Sequence, residues 1–439
     1  MTESLIGFAI LLVLIFARMP VAFAMAAVGF GGFAYLRGLD QSLSLVGTAV
    51  FDAGLSYSLS VVPLFIFMGN VLARSGVSHG LYAAANRATA RMRGGLAMAS
   101  VIACGGFSAV CGSSLATAAT MSKVAMPSMR KYGYADSLAA GSIAAGGTLG
   151  ILIPPSVIMI IYGLLTESDI GKLFIAGIVP GLLGLALYLA AVQVAVRLNP
   201  ALAPRDTQPE PLTRRDGLGV LALVILFAVI MVGIYGGFFT PTEAAGIGAG
   251  AAIPLAALFG RLPMRELAGA VLESVRATAM IFALIIGAEI FTNFINFAGL
   301  PDALSGLVYD LDLNAWVVMA AIIVIYLLLG CVLESLSMIL LTVPVFYPLM
   351  YELDFGIEAL ADPEAALIWF AVVVVVVTEI SLITPPVGLN VFVLRSVLEG
   401  VHLKTIFKGV TPFWIADIVR LSLIVALPWL SLWLVDAMR

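Results

Sequence analysis

Two proline pairs carry the first chemical signal. Gly150-Ile-Leu-Ile-Pro154-Pro155 and Ser381-Leu-Ile-Thr-Pro385-Pro386 each interrupt a long apolar run. Proline has no N–H to donate and clashes with the carbonyl four residues back. A helix broken this way is expected to release the carbonyls of Gly150 and Ile151 at the first pair, and those of Ser381 and Leu382 at the second. A carbonyl stranded in hydrocarbon is costly unless something positive meets it. A dehydrated sodium ion is a suitable partner, and the half-helix beyond each break offers a partly positive N-terminus to an anion. Gly112, Ser113, Ser114, Thr117, Gly147 and Thr148 are expected beside the first break, and Glu334, Ser335, Thr378, Glu379, Thr384 and Asn390 beside the second. Ser114, Thr117, Ser156 and Asn390 are the candidate ligands of an anion.

Other polar residues sort by the same reasoning. Glu334 and Glu379 are carboxylates within apolar stretches, where they serve either a coupling ion or proton, or a satisfied structural hydrogen bond. Glu289 and Asn293, one turn apart, are expected to hold helices together, and Asp417 and Arg420 to pair locally. His79 and His402 are isolated, HExxH is absent, and no GxxxxGK[ST] occurs. Cys104, Cys111 and Cys331 lack CxxC spacing and read as small core residues. No enzyme, ATP site, cofactor or nucleic-acid partner is expected, and sodium is the only metal.

The elements that position these residues must lie in lipid. The 439 residues are 62% hydrophobic and 11% charged, with a mean hydropathy of +1.12; soluble domains run at about 45–50% apolar and about 25% charged. The run Leu5–Ala17 has Glu3 rather than a basic flank and no A-x-A site, so it reads as a first membrane helix. Further spans are expected at 20–37, 58–75, 134–166 (broken), 170–197, 217–237, 242–260, 277–298, 364–399 (broken) and 411–436. Residues 95–129 and 313–350 each hold two apolar pieces about 24 Å long as helices, short of the ~30 Å hydrocarbon core. Each is expected to enter the membrane, turn at a polar tip and leave on the same side.

Charge orients this threading. Of the 22 Lys and Arg, only Arg37, Lys172 and Arg439 fall on the side of the N-terminus, apart from the intramembrane Arg420. The opposite side, which holds Arg205 and Arg261 among many others, is therefore cytoplasmic. Both termini are expected to be periplasmic. The polar loop 199–216, with Pro200, Pro204, Pro209 and Pro211, divides the chain into 1–198 and 217–439. Each half reads as three spans, a surface helix (77–93 and about 301–309), a hairpin, a broken span and a final span. Five crossings per half invert the second relative to the first, and paired broken helices in inverted repeats point to an alternating-access transporter.

The chain resembles a known family. Pro63-Leu-Phe-Ile-Phe-Met-Gly69-Asn70, Gly112-Ser-Ser114, Ala145-Gly-Gly-Thr-Leu-Gly-Ile-Leu-Ile-Pro-Pro-Ser156, Thr240-Pro-Thr-Glu-Ala244 and Thr384-Pro-Pro-Val-Gly-Leu-Asn390 look like the large membrane subunit of TRAP transporters, the tripartite ATP-independent periplasmic transporters. The resemblance implies an all-α polytopic membrane protein with re-entrant hairpins and an elevator-type ion transporter fold, in the bacterial inner membrane. It implies sodium-driven import of an organic acid anion, a C4-dicarboxylate by default, with sialic acids, 2-oxo acids and sugar acids left open. A small membrane subunit, expected as a separate chain, and a periplasmic substrate-binding protein are the implied partners. The implied sodium sites are Gly112–Ser114 with Gly147–Pro154, and Glu334-Ser335 with Thr384–Pro385. Glu334 stands where the family often has Asp. A stand-alone sodium/dicarboxylate symporter of a related inverted-repeat family is the alternative.

Overall fold

The computed structural model describes residues 2–204, 212–260 and 262–438; Arg205, Pro209, Pro211, Arg261 and Arg439, named above for charge or loop character, lie outside the described residues. Regular structure among the described residues is helical throughout. The first half starts with α1 (Thr2–Phe16) and α2 (Val21–Arg37). Next come α3 (Leu39–Leu55) and α4 (Val61–Arg74), which meet at a 60° bend. After α5 (Val77–Thr89), α6 (Gly95–Cys111) and α7 (Ser114–Lys131) form the first hairpin. The first interrupted span is α8 (Asp136–Thr148) with α9 (Val157–Thr166), and α10 (Ile170–Leu198) closes the half.

The second half repeats the order. It comprises α11 (Arg214–Tyr235), α12 (Pro241–Phe259), α13 (Met264–Phe297) and α14 (Leu300–Asp310). The second hairpin is α15 (Ala315–Gly330) with α16 (Ser335–Glu352). The second interrupted span is α17 (Pro363–Ser381) with α18 (Leu389–Val397), followed by α19 (Leu403–Ala426) and α20 (Trp429–Asp436). Among the described residues α10, α11, α12, α13, α16, α17 and α19 are each long and apolar enough to cross a bilayer, and the bent α3–α4 pair makes an eighth candidate. α1 and α2, of 15 and 17 residues, rise roughly 22–26 Å.

Several boundaries depart from the hydropathy reading. Helix α3 was not expected, because Asp40, Gln41, Ser42, Ser44 and Asp52 dilute its apolar face. The span expected at 58–75 is the second arm of that bend, and its counterpart in the other half is the single helix α13. α13 begins at Met264 rather than near 277. Its charged first turns look like loop to a hydropathy window, yet Glu266 and Glu273 lie on one face and both reach Arg74 of α4, at 2.8 and 3.0 Å. The surface helix expected at 77–93 stops at Thr89. The last span starts at Leu403 and breaks before Trp429, where Pro428 cannot continue the hydrogen-bond ladder. The linker 199–216 gives up its end to α11, which Thr213 and Asp216 start as a capping box.

Thr240-Pro-Thr-Glu-Ala is a second such box. The Thr240 hydroxyl accepts from the Glu243 N–H at 3.2 Å, and the Glu243 carboxylate accepts from the Thr240 N–H at 2.8 Å. Pro241 sits at the first helical position, where no N–H is missed. The interior is organised around α17. Its span is 94% buried, against 33–67% for the other six. The valine run 372–377 explains this, since a helix that is apolar all round belongs inside the protein.

Candidate functional site

Each hairpin seats its tip on the break of its own half. α6 ends at Gly112 in the left-handed conformation, φ 59°, which glycine adopts without strain. Ser113 caps α7, its hydroxyl accepting from the Ala116 N–H at 3.4 Å. A Cβ on Gly112 would stand 3.0 Å from the Pro155 carbonyl oxygen, and one on Gly147 3.2 Å from that of Ser114. In the second half a Cβ on Gly330 would overlap the Ser381 side chain, and the Cys331 thiol lies 3.8 Å from the Pro385 carbonyl oxygen.

The breaks themselves are built differently from the expectation of stranded carbonyls. Both Pro-Pro peptide bonds are cis. The Ile151 carbonyl receives the Ser156 hydroxyl, which also caps α9 by accepting from the Met159 N–H at 3.2 Å. The Ser381 carbonyl accepts from the Thr384 N–H at 3.2 Å, and that of Leu382 from the Asn390 N–H at 3.0 Å. Three of the four carbonyls thus find donors within the chain: Ser156 and Asn390 fold back from beyond each Pro-Pro, and Thr384 closes a local turn just before the second pair. Each retains a second lone pair. The Thr384 hydroxyl donates to Ile380 at 2.5 Å and accepts from the Trp414 indole at 3.0 Å.

Both tips and both breaks converge on one cavity of about 240 Å³. Gly112, Ser113, Ser114 and Ile151 line it from the first half; Glu334, Ser335 and Leu382 line it from the second. Its volume lies below the roughly 300–1,000 Å³ of sites for drug-sized ligands, which suits a small solute. Gly147, Thr148, Gly150, Pro154, Ser381, Thr384 and Pro385 do not line it, nor do Thr117, Ser156 and Asn390. The Asn390 amide reaches across to the Ala144 carbonyl of α8 at 3.0 Å. A larger cavity of about 730 Å³, beside the α3–α4 bend, contains none of the tip or break residues.

Two polar lining residues were absent from the candidates. Asn70 of α4 donates to the Ser274 hydroxyl at 2.9 Å, and Glu273 of α13 is held by Arg74. Asn70 lies within a quoted motif, but no hydropathy signal marks Glu273; its helical phase with Glu266 was the available clue. Glu273 and Glu334 are the charged residues of the lining, which holds no Lys, Arg or His among the described residues.

Glu379 does not line the cavity. It pairs with Arg420, both side chains fully buried. Arg420 also pairs with Asp417 at 2.9 Å, as their spacing predicts. One Glu379 carboxylate oxygen pairs with Arg420, and the other has no hydrogen-bond partner among the described residues. Asn293 bonds the backbone carbonyl of Glu289 at 2.9 Å, a link within its own helix rather than between helices.

Comparison with known proteins agrees with this architecture. The family described as "Tripartite ATP-independent periplasmic transporter, DctM component" matches residues 8–430. The C4-dicarboxylate TRAP transporter large permease protein DctM of Pseudomonas aeruginosa is 37% identical over 398 residues, 89% of each chain. The ectoine TRAP transporter large permease protein TeaC of Halomonas elongata is 30% identical over 441 residues, 99% of each. The isethionate TRAP transporter permease protein DctMQ of Oleidesulfovibrio alaskensis is 30% identical over 376 residues, 84% of this chain and 57% of that protein. Among solved structures, the Alcanivorax borkumensis YdaH transporter shares the fold, with a TM-score of 0.64 at 18% identity over 91% of this chain and 89% of that one. With the match running almost end to end and both Pro-Pro breaks placed at the hairpin tips, the chain belongs to the DctM family: it is the large permease component of a TRAP transporter, a multi-pass membrane protein that transports rather than catalyses.

Proposed function

We propose that this chain is the translocating subunit of a sodium-driven, binding-protein-dependent importer of an organic acid anion, with a C4-dicarboxylate as first choice. The cavity carries this reading. Its charged lining is two carboxylates, of which Glu273 is met by Arg74, so an anion entering alone faces the Glu334 carboxylate, whereas sodium ions at the tips would supply a positive field. The sodium ligands proposed are Gly112–Ser114 with the first break, and Glu334-Ser335 with the second. The recurring helix order supports two inverted repeats that move as an elevator body in the inner membrane, with both termini periplasmic. The C4-dicarboxylate name of the Pseudomonas aeruginosa relative supports the choice of cargo. Isethionate and ectoine in the names of other relatives mark the range the family spans. A small membrane subunit, as a separate chain, and a periplasmic binding protein complete the system.

The test is uptake of labelled succinate into proteoliposomes holding this chain with its small subunit. Uptake should require an inward sodium gradient and added binding protein. Uptake without the binding protein favours a stand-alone symporter. Uptake driven by a proton gradient in sodium-free buffer rejects sodium coupling.

A further inference from the structure

A chain of buried polar side chains joins one helix break to the other. Thr148 is the last residue of α8, directly before the turn that opens the first break. Its hydroxyl lies 2.8 Å from the Ala145 carbonyl oxygen and 3.1 Å from the Tyr188 hydroxyl of α10. Tyr188 donates its single proton to the Asp417 carboxylate at 2.6 Å, so toward Thr148 its oxygen can only accept, and the one Thr148 proton is shared between it and the Ala145 carbonyl. Asp417 pairs with Arg420 one turn along α19, and the same guanidinium nitrogen reaches Glu379 of α17. Glu379 stands two residues before Ser381, where the second break begins. All five side chains are 0% exposed.

Stability alone does not account for this chain. Two carboxylates share one guanidinium in a fully buried place, and each buried ion carries a desolvation penalty. Apolar residues of similar size would fill the space with less penalty. What polar pairs add is a fixed relative geometry. The surroundings are shaped to hold it. A Cβ on Gly184 would run into the Arg420 guanidinium, and the Tyr188 ring packs edge-on against Phe413 at 5.6 Å. None of the five lines the cavity.

We propose that Thr148, Tyr188, Asp417, Arg420 and Glu379 form a strut that locks the two interrupted helices to each other, so that filling one break sets the geometry of the other. The five are positioning residues. The cooperative part of this inference rests on the sodium-coupled reading; the mechanical part does not.

The test uses the complex of this chain with its small subunit in nanodiscs. Tyr188→Phe keeps the ring contact with Phe413 and removes the link between Thr148 and Asp417. Phe413→Leu removes the ring contact and keeps the hydrogen bonds. Hydrogen exchange at 149–156 and at 382–388, without sodium, should speed up about tenfold in Tyr188→Phe, the loss of roughly one hydrogen bond. Phe413→Leu should leave 382–388 unchanged. Unchanged exchange at 382–388 in Tyr188→Phe overturns the strut, as does equal acceleration in both variants. In uptake assays the sodium midpoint of Tyr188→Phe should rise at least about fivefold, the lower range of site-to-site coupling, and its sodium dependence should become less steep. Altered exchange in a protein whose wild-type uptake ignores sodium keeps the strut and rejects sodium coupling. A sodium-dependent wild type with equal steepness in Tyr188→Phe overturns the cooperative role.

Discussion

Arg74 holds Glu273 at the edge of the candidate cavity through two nitrogens, Nε at 3.1 Å and Nη2 at 3.0 Å. The pair ties α4 to α13, and it also sets the charge an entering solute meets. Arg74→Gln leaves the Glu273 carboxylate without its counter-ion beside the anion path. The apparent KM for the anion should rise in that variant and fall in Glu273→Gln, measured as uptake against substrate concentration. Raising the salt concentration should narrow the gap between the two variants, because these groups are partly exposed and screened.

The Glu379–Arg420–Asp417 cluster predicts an asymmetry. Glu379→Gln removes one of the two carboxylates that share Arg420, leaving Arg420 paired with Asp417. Arg420→Gln leaves two buried carboxylates with no cation, a change of the kind that costs about 3–5 kcal/mol. In thermal denaturation Arg420→Gln should therefore lose far more stability than Glu379→Gln. Equal losses would count against this charge arrangement.

Ser156 does two jobs at the first break. It caps α9 and donates to the Ile151 carbonyl. Ser156→Ala removes both, and a lost cap with an unmet buried acceptor is expected to destabilise by about 1–3 kcal/mol. Denaturation of the purified protein checks the magnitude. If added sodium restores more stability to the variant than to the wild type, the freed carbonyl is within reach of the ion.

The threading makes a topological prediction. Asp310 and Glu358 are exposed and belong to the proposed periplasmic face, whereas the exposed Arg214 at the start of α11 belongs to the cytoplasmic one. A membrane-impermeant thiol reagent added to intact cells should label cysteine at 310 and at 358 and spare cysteine at 214. Labelling at 214 would reverse the assigned orientation.

Residue type and local order were enough to establish the interrupted helices. Proline cannot donate and cannot follow a helical turn, so Pro154-Pro155 and Pro385-Pro386 must break α8–α9 and α17–α18 wherever the chain folds. Gly112 and Ser113 likewise dictate a left-handed stop and a capped restart, which makes the first hairpin a local property. Hydropathy was enough to place the long apolar helices, because lipid leaves backbone polar groups no partner but one another.

Relations between distant parts of the chain were decided only by the tertiary structure. Whether the carbonyls at a break stay free depends on what folds back over them, and Ser156 and Asn390 do so at angles the sequence does not encode. The pairing of Glu379 with Arg420 across two helices, the grip of Arg74 on α13, and the convergence of Ser114 with Glu334 on one cavity are likewise matters of packing. Charged first turns disguised the start of α13, and polar side chains disguised α3, since a hydropathy average cannot see which face a residue occupies. Local backbone chemistry reaches only about one helical turn; the side chains that complete this site come from opposite halves of the chain, and only the packed helices bring them together.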